Sequence, residues 1–528
     1  MNVDRRFVLI ALFVFSAITN AYTADSLHTL FTITGEYAGQ HLGRVMSGAG
    51  DINGDGFADL IVGDEYRKEC RIYLGGTTLP SLPSVVISRP ETCPGFPPCD
   101  FGCVVSGVGD INGDGFDDFI VTNAVWFYET GKVYVYFGGV EIDTMPDVAI
   151  AAYGSSWLNE FWSTDLRGRM IGDINGDGYD ELACLSYYTQ DVGAFVYFGG
   201  APMDSVHDVG CRGPGYPYLE LGSDVSSGDL NGDGFGDLVV GAYAVENHPD
   251  VQDAAWIYLG GEEMDDVPDF ILSPSSIAYN FSVDVPGDFN GDGFRDLVVA
   301  PSKFAEWDDV DFGTAYIYFG STRFDNLPDL ELPGGIQLGA YRLAGGDLNL
   351  DGFTDLIITQ VSYDSHRLAL YFGGVEMDAV PNIEILGSGS FGETLSWIGD
   401  MNGDGWPEIA VSDPMVNAGR GEIYIYTMAE VRADPDHLPR SDQTALHITP
   451  NPSIGPVHIS WYPTLADCRK ADILDIKGRK IRCIQPESDG SMIWDGRDSS
   501  GYPVSPGTYV LRIEVGDHHR SERIIRLK

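Results

Sequence analysis

A nine-residue segment rich in carboxylate and amide side chains occurs seven times in this sequence. Every copy has Asp or Glu at positions 1, 5 and 9, Asn at position 3, Gly at position 6 and an aromatic residue at position 7. Ca²⁺ takes about six to eight oxygen ligands, whereas Mg²⁺ keeps more of its waters and demands a stricter octahedron. A single turn with this mixture of carboxylate, amide and backbone oxygens therefore predicts a calcium site, with up to seven Ca²⁺ ions in the chain.

The predicted ligands are the side chains at positions 1, 3, 5 and 9 and the backbone carbonyl at position 7. They are Asp51, Asn53, Asp55, Phe57, Asp59; Asp110, Asn112, Asp114, Phe116, Asp118; Asp173, Asn175, Asp177, Tyr179, Glu181; Asp229, Asn231, Asp233, Phe235, Asp237; Asp288, Asn290, Asp292, Phe294, Asp296; Asp347, Asn349, Asp351, Phe353, Asp355; and Asp400, Asn402, Asp404, Trp406, Glu408. We expect the aromatic ring at position 7 to anchor each loop in the core.

The alternative interpretation is a plain tight turn, because Asn, Asp and Gly favour turns for backbone reasons alone. Seven copies favour the metal site. Like charges about 4–5 Å apart repel by several kcal/mol per pair at an effective dielectric of about 20, so the loops should fray without a cation. In the sixth copy Leu350 replaces a Gly, which we expect to weaken that site.

An EF-hand is excluded by position 12 of the segment. An EF-hand needs a bidentate Glu there, whereas this chain has Val62, Val121, Cys184, Val240, Val299, Ile358 and Val411. Each lies in a short apolar run, which predicts a buried strand rather than a helix.

The segments that surround each loop repeat in a fixed order and predict four short strands, here A, B, C and D. The loop joins A to B, strand C ends in Gly-Gly as in residues 72–76, and a Pro-Asp pair precedes strand D as in residues 145–150. Four short strands per repeat without a helix indicate a propeller blade. The seventh unit stops after strand C, so we expect the extra strand at residues 29–33 to complete that blade and close the ring.

Phe101-Gly102, the loop itself and Gly241-Ala242 after it resemble the FG-GAP repeat of the integrin alpha-subunit head. This resemblance covers residues 22–428 and implies a seven-bladed β-propeller with calcium in the A–B loops. Only some integrin blades carry the loop, whereas all seven carry it here. The sequence shows no integrin leg, membrane span or partner subunit, so receptor heterodimers are not expected, and we expect a monomer.

Residues 1–21 are typical of a cleaved export signal. Arg5 and Arg6 precede an apolar run over residues 7–18, and small residues stand at −3 and −1 of a cut after Ala21. The run is too short to span a bilayer, and no other stretch of the sequence predicts a transmembrane span. We therefore expect a secreted or cell-surface protein.

Residues 429–445 change composition and predict a linker, and residues 446–528 predict a small β-sandwich from short strands and tight turns. The whole chain is thus expected to be all-β. The second domain resembles the C-terminal sorting domain of bacterial type IX secretion cargo and the related FlgD-like immunoglobulin (Ig) fold. This resemblance implies contact with the secretion machinery and a bacterial surface or secreted location. The alternative is a plain Ig-like spacer or carbohydrate-binding module.

The formal net charge is −48, and residues 444–528 hold 12 Lys or Arg against 10 Asp or Glu, so the negative charge lies in the propeller. This excludes nucleic acid and anionic membranes as favoured partners. Eight cysteines fit an exported protein. We expect one or two disulfides among Cys70, Cys93, Cys99 and Cys103; Cys468 and Cys483 flank a hairpin but are not directly opposite, which disfavours a bridge.

The predicted strand order places the long B–C and D–A loops on the face opposite the calcium loops. Aromatic residues there suit a sugar or protein surface, although they can equally fill gaps between blades; they are Trp126, Tyr128, Trp157, Trp162 and Trp307. No HExxH or GxSxG with a partnered Ser is present. We expect a non-enzymatic adhesion or ligand-binding protein for an extracellular protein or glycan. A polysaccharide-active lyase or hydrolase and a purely structural surface protein are the alternatives.

Overall fold

The computed structural model describes most of the chain. The described residues are 27–90, 100–124, 131–151, 168–185, 192–212, 219–244, 254–262, 264–273, 280–302, 314–333, 341–361, 366–387, 389–428, 445–449, 457–462, 468–475, 479–484, 492–505, 507–515 and 518–526. The chain forms two compact units, residues 1–431 and 432–528.

The first unit contains seven antiparallel sheets of four strands each. Strand β1 is His28–Thr34, and the remaining strands follow in chain order. The first sheet is β2 (Val45–Gly50), β3 (Asp59–Asp64), β4 (Glu69–Tyr73) and β5 (Val85–Ser88); the second is β6 (Asp100–Gly109), β7 (Asp118–Ala124), β8 (Lys132–Tyr136) and β9 (Val148–Ala151); the third is β10 (Gly168–Met170), β11 (Leu182–Leu185), β12 (Val192–Tyr197) and β13 (Val209–Arg212).

The fourth sheet is β14 (Leu219–Gly228), β15 (Asp237–Ala244), β16 (Ala254–Tyr258) and β17 (Phe270–Leu272); the fifth is β18 (Asn280–Gly287), β19 (Asp296–Ser302), β20 (Thr314–Tyr318) and β21 (Leu330–Pro333); the sixth is β22 (Tyr341–Gly346), β23 (Asp355–Val361), β24 (His366–Tyr371) and β25 (Ile383–Gly387). The seventh sheet contains β26 (Leu395–Gly399), β27 (Glu408–Asp413) and β28 (Glu422–Thr427), with the short turn α1 (Val416–Gly419) before β28, and its fourth strand is β1.

The seven sheets form a closed ring. The first six sheets run through their strands in sequence order, and the seventh runs β26, β27, β28 and then β1. The first strand of each sheet contacts the first strand of the next, from β2 to β6 and onward to β26, which contacts β2. In the seventh sheet, β1 pairs with β28, with Thr32 opposite Tyr424. The prediction of a seven-bladed, all-β propeller is confirmed, and so is the prediction that the N-terminal strand closes it.

Apolar residues of neighbouring blades form the core between them. Strand β3 is buried along its whole length, as expected for a strand covered on both faces. At the closure, Ile33 and Ile425 of the seventh blade share a cluster with Leu60 of the first. Because such clusters contain residues from two blades, burial holds the blades to each other as well as internally.

A buried polar network reinforces this closure. The Arg71 guanidinium, in β4, forms ion pairs with Glu36, which follows β1, at 3.2 Å and with Asp64, at the end of β3, at 3.3 Å. The Tyr37 hydroxyl and the Gln40 amide, both on the β1–β2 connection, donate hydrogen bonds to Asp64 at 3.0 Å. The chain segment that completes the last blade is therefore bonded directly to the first.

The second unit consists of two antiparallel sheets that share one apolar core around Trp494. One sheet is β29 (Ala445–Thr449), β30 (Val457–Tyr462) and β33 (Met492–Trp494), and the other is β32 (Lys480–Ile484), β31 (Cys468–Asp475), β34 (Gly507–Val515) and β35 (His518–Arg526). Two sheets around one core constitute a small β-sandwich, as predicted.

Cys70 forms no disulfide with another described cysteine, so it takes no part in the one or two bridges expected among residues 70–103 as far as the structure describes them. It lies in β4 within an apolar cluster that also contains Ile61 and Phe101, where burial raises the pKa of its thiol to about 12. Cys93 and Cys99 lie outside the described residues. In the sandwich, Cys483 is opposite Asp472 rather than Cys468, in agreement with the bridge being disfavoured. No helix in the described part of the chain is both long and apolar enough to cross a membrane.

Candidate metal centre

The seven A–B loops are anchored by the side chain at position 2. These side chains are almost completely buried; they are Ile52, Ile111, Ile174, Leu230, Phe289, Leu348 and Met401. A buried residue immediately after the first carboxylate fixes the start of the loop, while the carboxylates at positions 1 and 5 remain nearer to solvent. Sequence reasoning overlooked this anchor, although an apolar residue stands at position 2 of every copy.

The prediction that the position-7 ring anchors its own loop in the core is wrong for six of the seven loops. All seven rings are only half-buried, and six of them lie against the position-4 Gly of the loop on the preceding blade. The seventh, Trp406, follows a loop with Leu350 at position 4 and packs against a core cluster that contains Ile409. At Gly54 a Cβ atom would lie 2.5 Å from the Phe116 ring, and at Gly291 it would lie 2.4 Å from the Phe353 ring. The physical reason is that Gly at position 4 leaves space for a neighbour, so the ring packs across the joint between blades.

Hydrogen bonds within each loop arrange its oxygens. In the fifth loop, Asp288 Oδ1 accepts hydrogen bonds from the Gly291 and Asp292 amides and its Oδ2 accepts one from Gly293. Asn290 Oδ1 accepts from the Asp292 amide at 2.9 Å, and Asp292 Oδ1 accepts from the Phe294 amide at 3.0 Å. Asp288 Oδ2, Asn290 Oδ1 and Asp292 Oδ1 each accept a single hydrogen bond and keep a further lone pair, so these bonds leave ligand capacity for a cation.

The residue at position 9 behaves differently in the Asp and Glu loops. In the five Asp loops both carboxylate oxygens accept backbone hydrogen bonds, as when Asp59 accepts from Ile52 at 3.1 Å and from Gly75 at 2.7 Å. This carboxylate therefore connects the A–B loop to the end of strand C. The equivalent residues are Asp118, Asp237, Asp296 and Asp355.

Two loops bring three carboxylates together. Among the described residues, the groups with one ligand oxygen each within 4.8 Å of the others are Asp173, Asp177 and Glu181, and Asp400, Asp404 and Glu408. The longer Glu side chain at position 9 explains why these two loops converge. Glu408 Oε1 also accepts a hydrogen bond from the side-chain amide of Asn402 at 3.1 Å.

Glu181 is the most informative of these residues. Its side chain is fully buried, Oε2 accepts a hydrogen bond from the Ile174 amide at 2.7 Å, and Oε1 has no hydrogen-bond partner among the residues that the structure describes. An unpartnered carboxylate oxygen in a buried position costs free energy, and a hard cation would satisfy it. Asp173, Asp177 and Glu181 thus form a donor set that fits a divalent cation with oxygen ligands.

Burial opposes ionisation at position 9. Desolvation raises the pKa of Asp59 to about 7, and the neighbouring carboxylates Asp55 and Asp51 add to the increase. Desolvation likewise raises the pKa of Glu181 to about 8 and of Glu408 to about 8, again with help from the acids of the same loop. These carboxylates need a nearby positive charge to stay ionised at neutral pH, which is what a bound cation supplies.

The same loops also join adjacent blades. The carbonyl of Asp288 accepts a hydrogen bond from the Thr354 amide of the next blade at 2.9 Å, and the carbonyl of Phe289 accepts one from Gly374 at 2.8 Å. Gly374 begins the C–D turn of the sixth blade. The A–B loops and C–D turns therefore share one face of the propeller, hereafter the loop face, as the strand order predicted.

The aromatic residues predicted to bind a ligand lie outside the described residues. They are Trp126, Tyr128, Trp157, Trp162 and Trp307. Their placement on the face opposite the loop face stays a prediction.

Three segments, residues 105–136, 221–258 and 391–426, match the family model described as FG-GAP repeat. Integrin alpha-3 of Cricetulus griseus is 33% identical over 163 residues, which is 28% of this chain and 14% of that protein. Integrin alpha-PS5 of Drosophila melanogaster is 27% identical over 161 residues, 28% of this chain and 16% of that protein. Integrin alpha-7 of Rattus norvegicus is 34% identical over 139 residues, 25% of this chain and 12% of that protein.

These matches support an FG-GAP propeller similar to that of integrin alpha chains, and they span less than a fifth of each relative's length. Two solved structures align at 11% identity. PorZ, a bacterial surface component of the type-IX secretion system of Porphyromonas gingivalis, has a TM-score of 0.26, with 89% of this chain and 64% of that chain covered. A Glycoside Hydrolase family 32 protein from Bifidobacterium adolescentis has a TM-score of 0.29, with 94% and 95% covered. At these TM-scores neither likeness carries an argument.

Proposed function

We propose that this FG-GAP propeller is a calcium-binding, non-enzymatic protein of the bacterial cell surface or exterior that binds an extracellular protein or glycan. Calcium occupies up to seven A–B loops, through the side chains at positions 1, 3, 5 and 9 and the carbonyl at position 7. Because each loop also bonds to the next blade, a cation in it stabilises the joint between two blades as well as the loop.

The observation that carries the calcium proposal is the buried Glu181 Oε1, which lies with Asp173 and Asp177 and has no hydrogen-bond partner in the described part of the chain. This oxygen would coordinate a bound cation, whose positive charge would offset the repulsion among the three acids. The three acids hold the ion, and the ion keeps the loop closed.

A variant at this residue tests the calcium site. We expect Glu181→Gln to lower the number of bound Ca²⁺ ions by one in calorimetric titration, because an amide is a weaker ligand than a carboxylate. The variant should also lose about 1–3 kcal/mol of the stabilisation that calcium confers, the size of mass-action stabilisation at about ten to one hundred times the dissociation constant. In the presence of a chelator, the difference in stability between the wild type and the variant should vanish or reverse, because the variant lacks a carboxyl group whose burial costs free energy.

Glu376→Gln is the control, because Glu376 is exposed in the C–D turn of the sixth blade. An equal calcium count in the wild type and Glu181→Gln, or an unfolding transition that chelation does not move in the wild type, would contradict the proposal.

Ligand binding is assigned to the aromatic B–C and D–A loops, and this part of the proposal is supported by the sequence alone. We expect the double variant Trp157→Ala, Trp162→Ala to reduce capture on a glycan or extracellular-matrix array at least tenfold, since aromatic rings supply most of the contact area in such sites. Its calcium-dependent melting temperature should match that of the wild type. Full retention of binding would remove these residues from the site.

Export and sorting complete the proposal. Residues 1–21 act as the export signal, residues 429–445 link the two domains, and residues 446–528 act as the type IX sorting domain of Ig-like fold. The two-sheet sandwich with a single apolar core supports an independently folding C-terminal module. In a host with this secretion system, removal of residues 446–528 should leave the protein in the periplasm.

A further inference from the structure

The C–D turns present a ring of exposed aliphatic side chains that the proposed function does not use. In each of the first six blades the residue three positions before the start of strand D is apolar and 60–68% exposed. These residues, hereafter the turn aliphatics, are Leu82, Met145, Val206, Val267, Leu327 and Val380. Single exposed apolar residues are common on proteins, but one at the same position of six successive blades forms a pattern.

The turns hold these side chains in fixed positions. In blades two to six, the amide of the turn aliphatic donates a hydrogen bond to an Asp two residues earlier, at 2.7–2.9 Å. An Asp or Asn two residues later accepts a hydrogen bond from the end of strand C, as Asp147 does from the Phe137 amide at 2.8 Å. Each aliphatic side chain is thus presented by a turn that is bonded on both sides.

Local conformational preference does not account for the choice of residue. Five of the six turn aliphatics precede Pro, which favours an extended backbone, but Thr, Ser or Lys would adopt that backbone equally well. In the third blade His207 replaces the Pro, and Val206 is still apolar and exposed. In the first blade Pro80 and Ser84 replace the two Asp residues of the turn, and Leu82 is still apolar and exposed.

The turns lie on the loop face and are strongly acidic. The second Gly or Ser of each turn donates a hydrogen bond to the position-2 carbonyl of the preceding blade's A–B loop, as Gly76 does to Met401 at 2.8 Å. Residues 74–84, 137–147, 198–208, 259–269, 319–329 and 372–382 contain 14 Asp or Glu and a single Arg, Arg323. The A–B loops add 23 acids and Arg295, so carboxylates outnumber positive charges here even with seven calcium ions bound.

We propose that the loop face is a docking surface for a cationic, amphipathic protein segment, in which Lys or Arg side chains meet the turn carboxylates and aliphatic side chains contact the turn aliphatics. Charge complementarity selects a basic partner, and the six aliphatic contacts distinguish an amphipathic segment from a merely cationic one. This proposal does not depend on the assignment of ligand binding to the aromatic B–C and D–A loops.

The test uses two synthetic peptides of equal charge on the full-length, calcium-loaded protein. One peptide is an amphipathic sequence of Lys and Leu, and in the other every Leu is replaced by Gln. We expect the wild type to bind the Lys/Leu peptide at least tenfold more tightly. Replacing all six turn aliphatics with Ser should abolish that preference while leaving the Lys/Gln affinity unchanged, and 0.5 M salt should weaken both peptides.

A matched triple variant controls for general loss of apolar surface. Val267→Ser, Leu327→Ser, Val380→Ser removes three turn aliphatics and should reduce the preference three- to tenfold. Tyr66→Ser, Leu386→Ser, Met415→Ser removes three side chains of similar exposure that lie outside the C–D turns, and it should leave the preference unchanged. Calcium-dependent melting temperatures verify that all variants fold.

Four results would overturn the proposal. The first is equal affinity of the wild type for both peptides. The second is an equal effect of the two triple variants. The third is wild-type dimerisation that the six Ser substitutions abolish, because the occupant would then be a second copy of the chain. The fourth is calcium-dependent binding of dextran sulfate that the same substitutions abolish, because the occupant would then be an anionic polymer bridged by metal.

Discussion

At the scale of single residues, position 4 of the A–B loop shows how one atom decides the contact between blades. Six loops have Gly there, with φ between 72° and 78°, and the aromatic ring of the following blade occupies the space that a Cβ atom would take. The sixth loop has Leu350 in the same left-handed conformation, with φ of 59° and its side chain half-exposed. The chain thus carries one strained copy of a motif that is otherwise built on Gly.

Substitutions at position 4 should therefore change the free energy of unfolding in opposite directions in the fifth and sixth blades. We expect Leu350→Gly to raise the free energy of unfolding by about 0.5–1 kcal/mol, because relief of left-handed strain exceeds the entropy cost of Gly. Gly291→Ala in the fifth blade should lower it by about 1–3 kcal/mol, because the new methyl group would meet the Phe353 ring. Urea unfolding in saturating calcium measures both, and equal signs would contradict the packing assigned to position 4.

At the scale of elements, the innermost strands of neighbouring blades are joined by serine hydroxyls. Ser396 Oγ, in β26, accepts a hydrogen bond from the Gly48 amide of β2 at 2.8 Å. Ser226 Oγ, in β14, accepts one from the Val285 amide of β18 at 3.0 Å and donates one to Asp284 Oδ1. The first strands of neighbouring blades do not pair in one sheet, so their facing backbone amides lack carbonyl partners in the neighbouring blade. The serine hydroxyls accept hydrogen bonds from these amides.

The serine link makes a prediction for the fourth and fifth blades. Ser226→Ala should destabilise the protein by about 1–3 kcal/mol, because it leaves the buried Val285 amide without its acceptor. Ser81→Ala is the control, since Ser81 is exposed in a C–D turn, and its effect should stay within about 0.5 kcal/mol. Thermal unfolding compares the two variants, and an equal cost for both would argue against the link.

At the scale of the whole molecule, the ring is closed by pairing an N-terminal strand with the last blade and by the ion pairs of Arg71. The Arg71 side chain is 2% exposed and its partner Asp64 is fully buried, so neither charge is solvated by water. A buried charge that loses its partner is costly, whereas an exposed pair contributes little. The closure therefore depends on a polar network as well as on the apolar cluster around Ile33.

Breaking this network should weaken the closure more than the loss of a surface pair. We expect Arg71→Leu to cost about 3–5 kcal/mol and to speed hydrogen exchange of residues 28–34, because the buried Asp64 loses its ion pair and Glu36 keeps only its longer pair with Arg67. Arg367→Leu, which breaks the more exposed pair with Glu384, should cost about 1 kcal/mol or less. Unchanged exchange in β1 of the Arg71 variant would show that apolar packing alone closes the ring.

Much of this architecture was predictable because it repeats. Seven copies of one loop, one apolar B strand and one Gly-Gly ending predicted the strand order, the blade number and the face shared by A–B loops and C–D turns. The extra strand before the first repeat predicted the closure by β1. Repetition allowed these predictions because a pattern that is ambiguous once becomes specific when the same spacing recurs.

Contacts between blades could not be predicted in the same way. The sequence by itself determined which side chains each loop offers to a cation, since ligand chemistry and spacing are local properties. Only the tertiary structure decided that the position-7 ring packs on the preceding blade, that Asp at position 9 bonds to strand C while Glu181 keeps a free oxygen, and that six exposed aliphatic residues share one face. The ring contacts and the shared face join residues of different blades, and their geometry is fixed by how the blades close into a ring. The free oxygen of Glu181 depends on side-chain burial, which the sequence does not give.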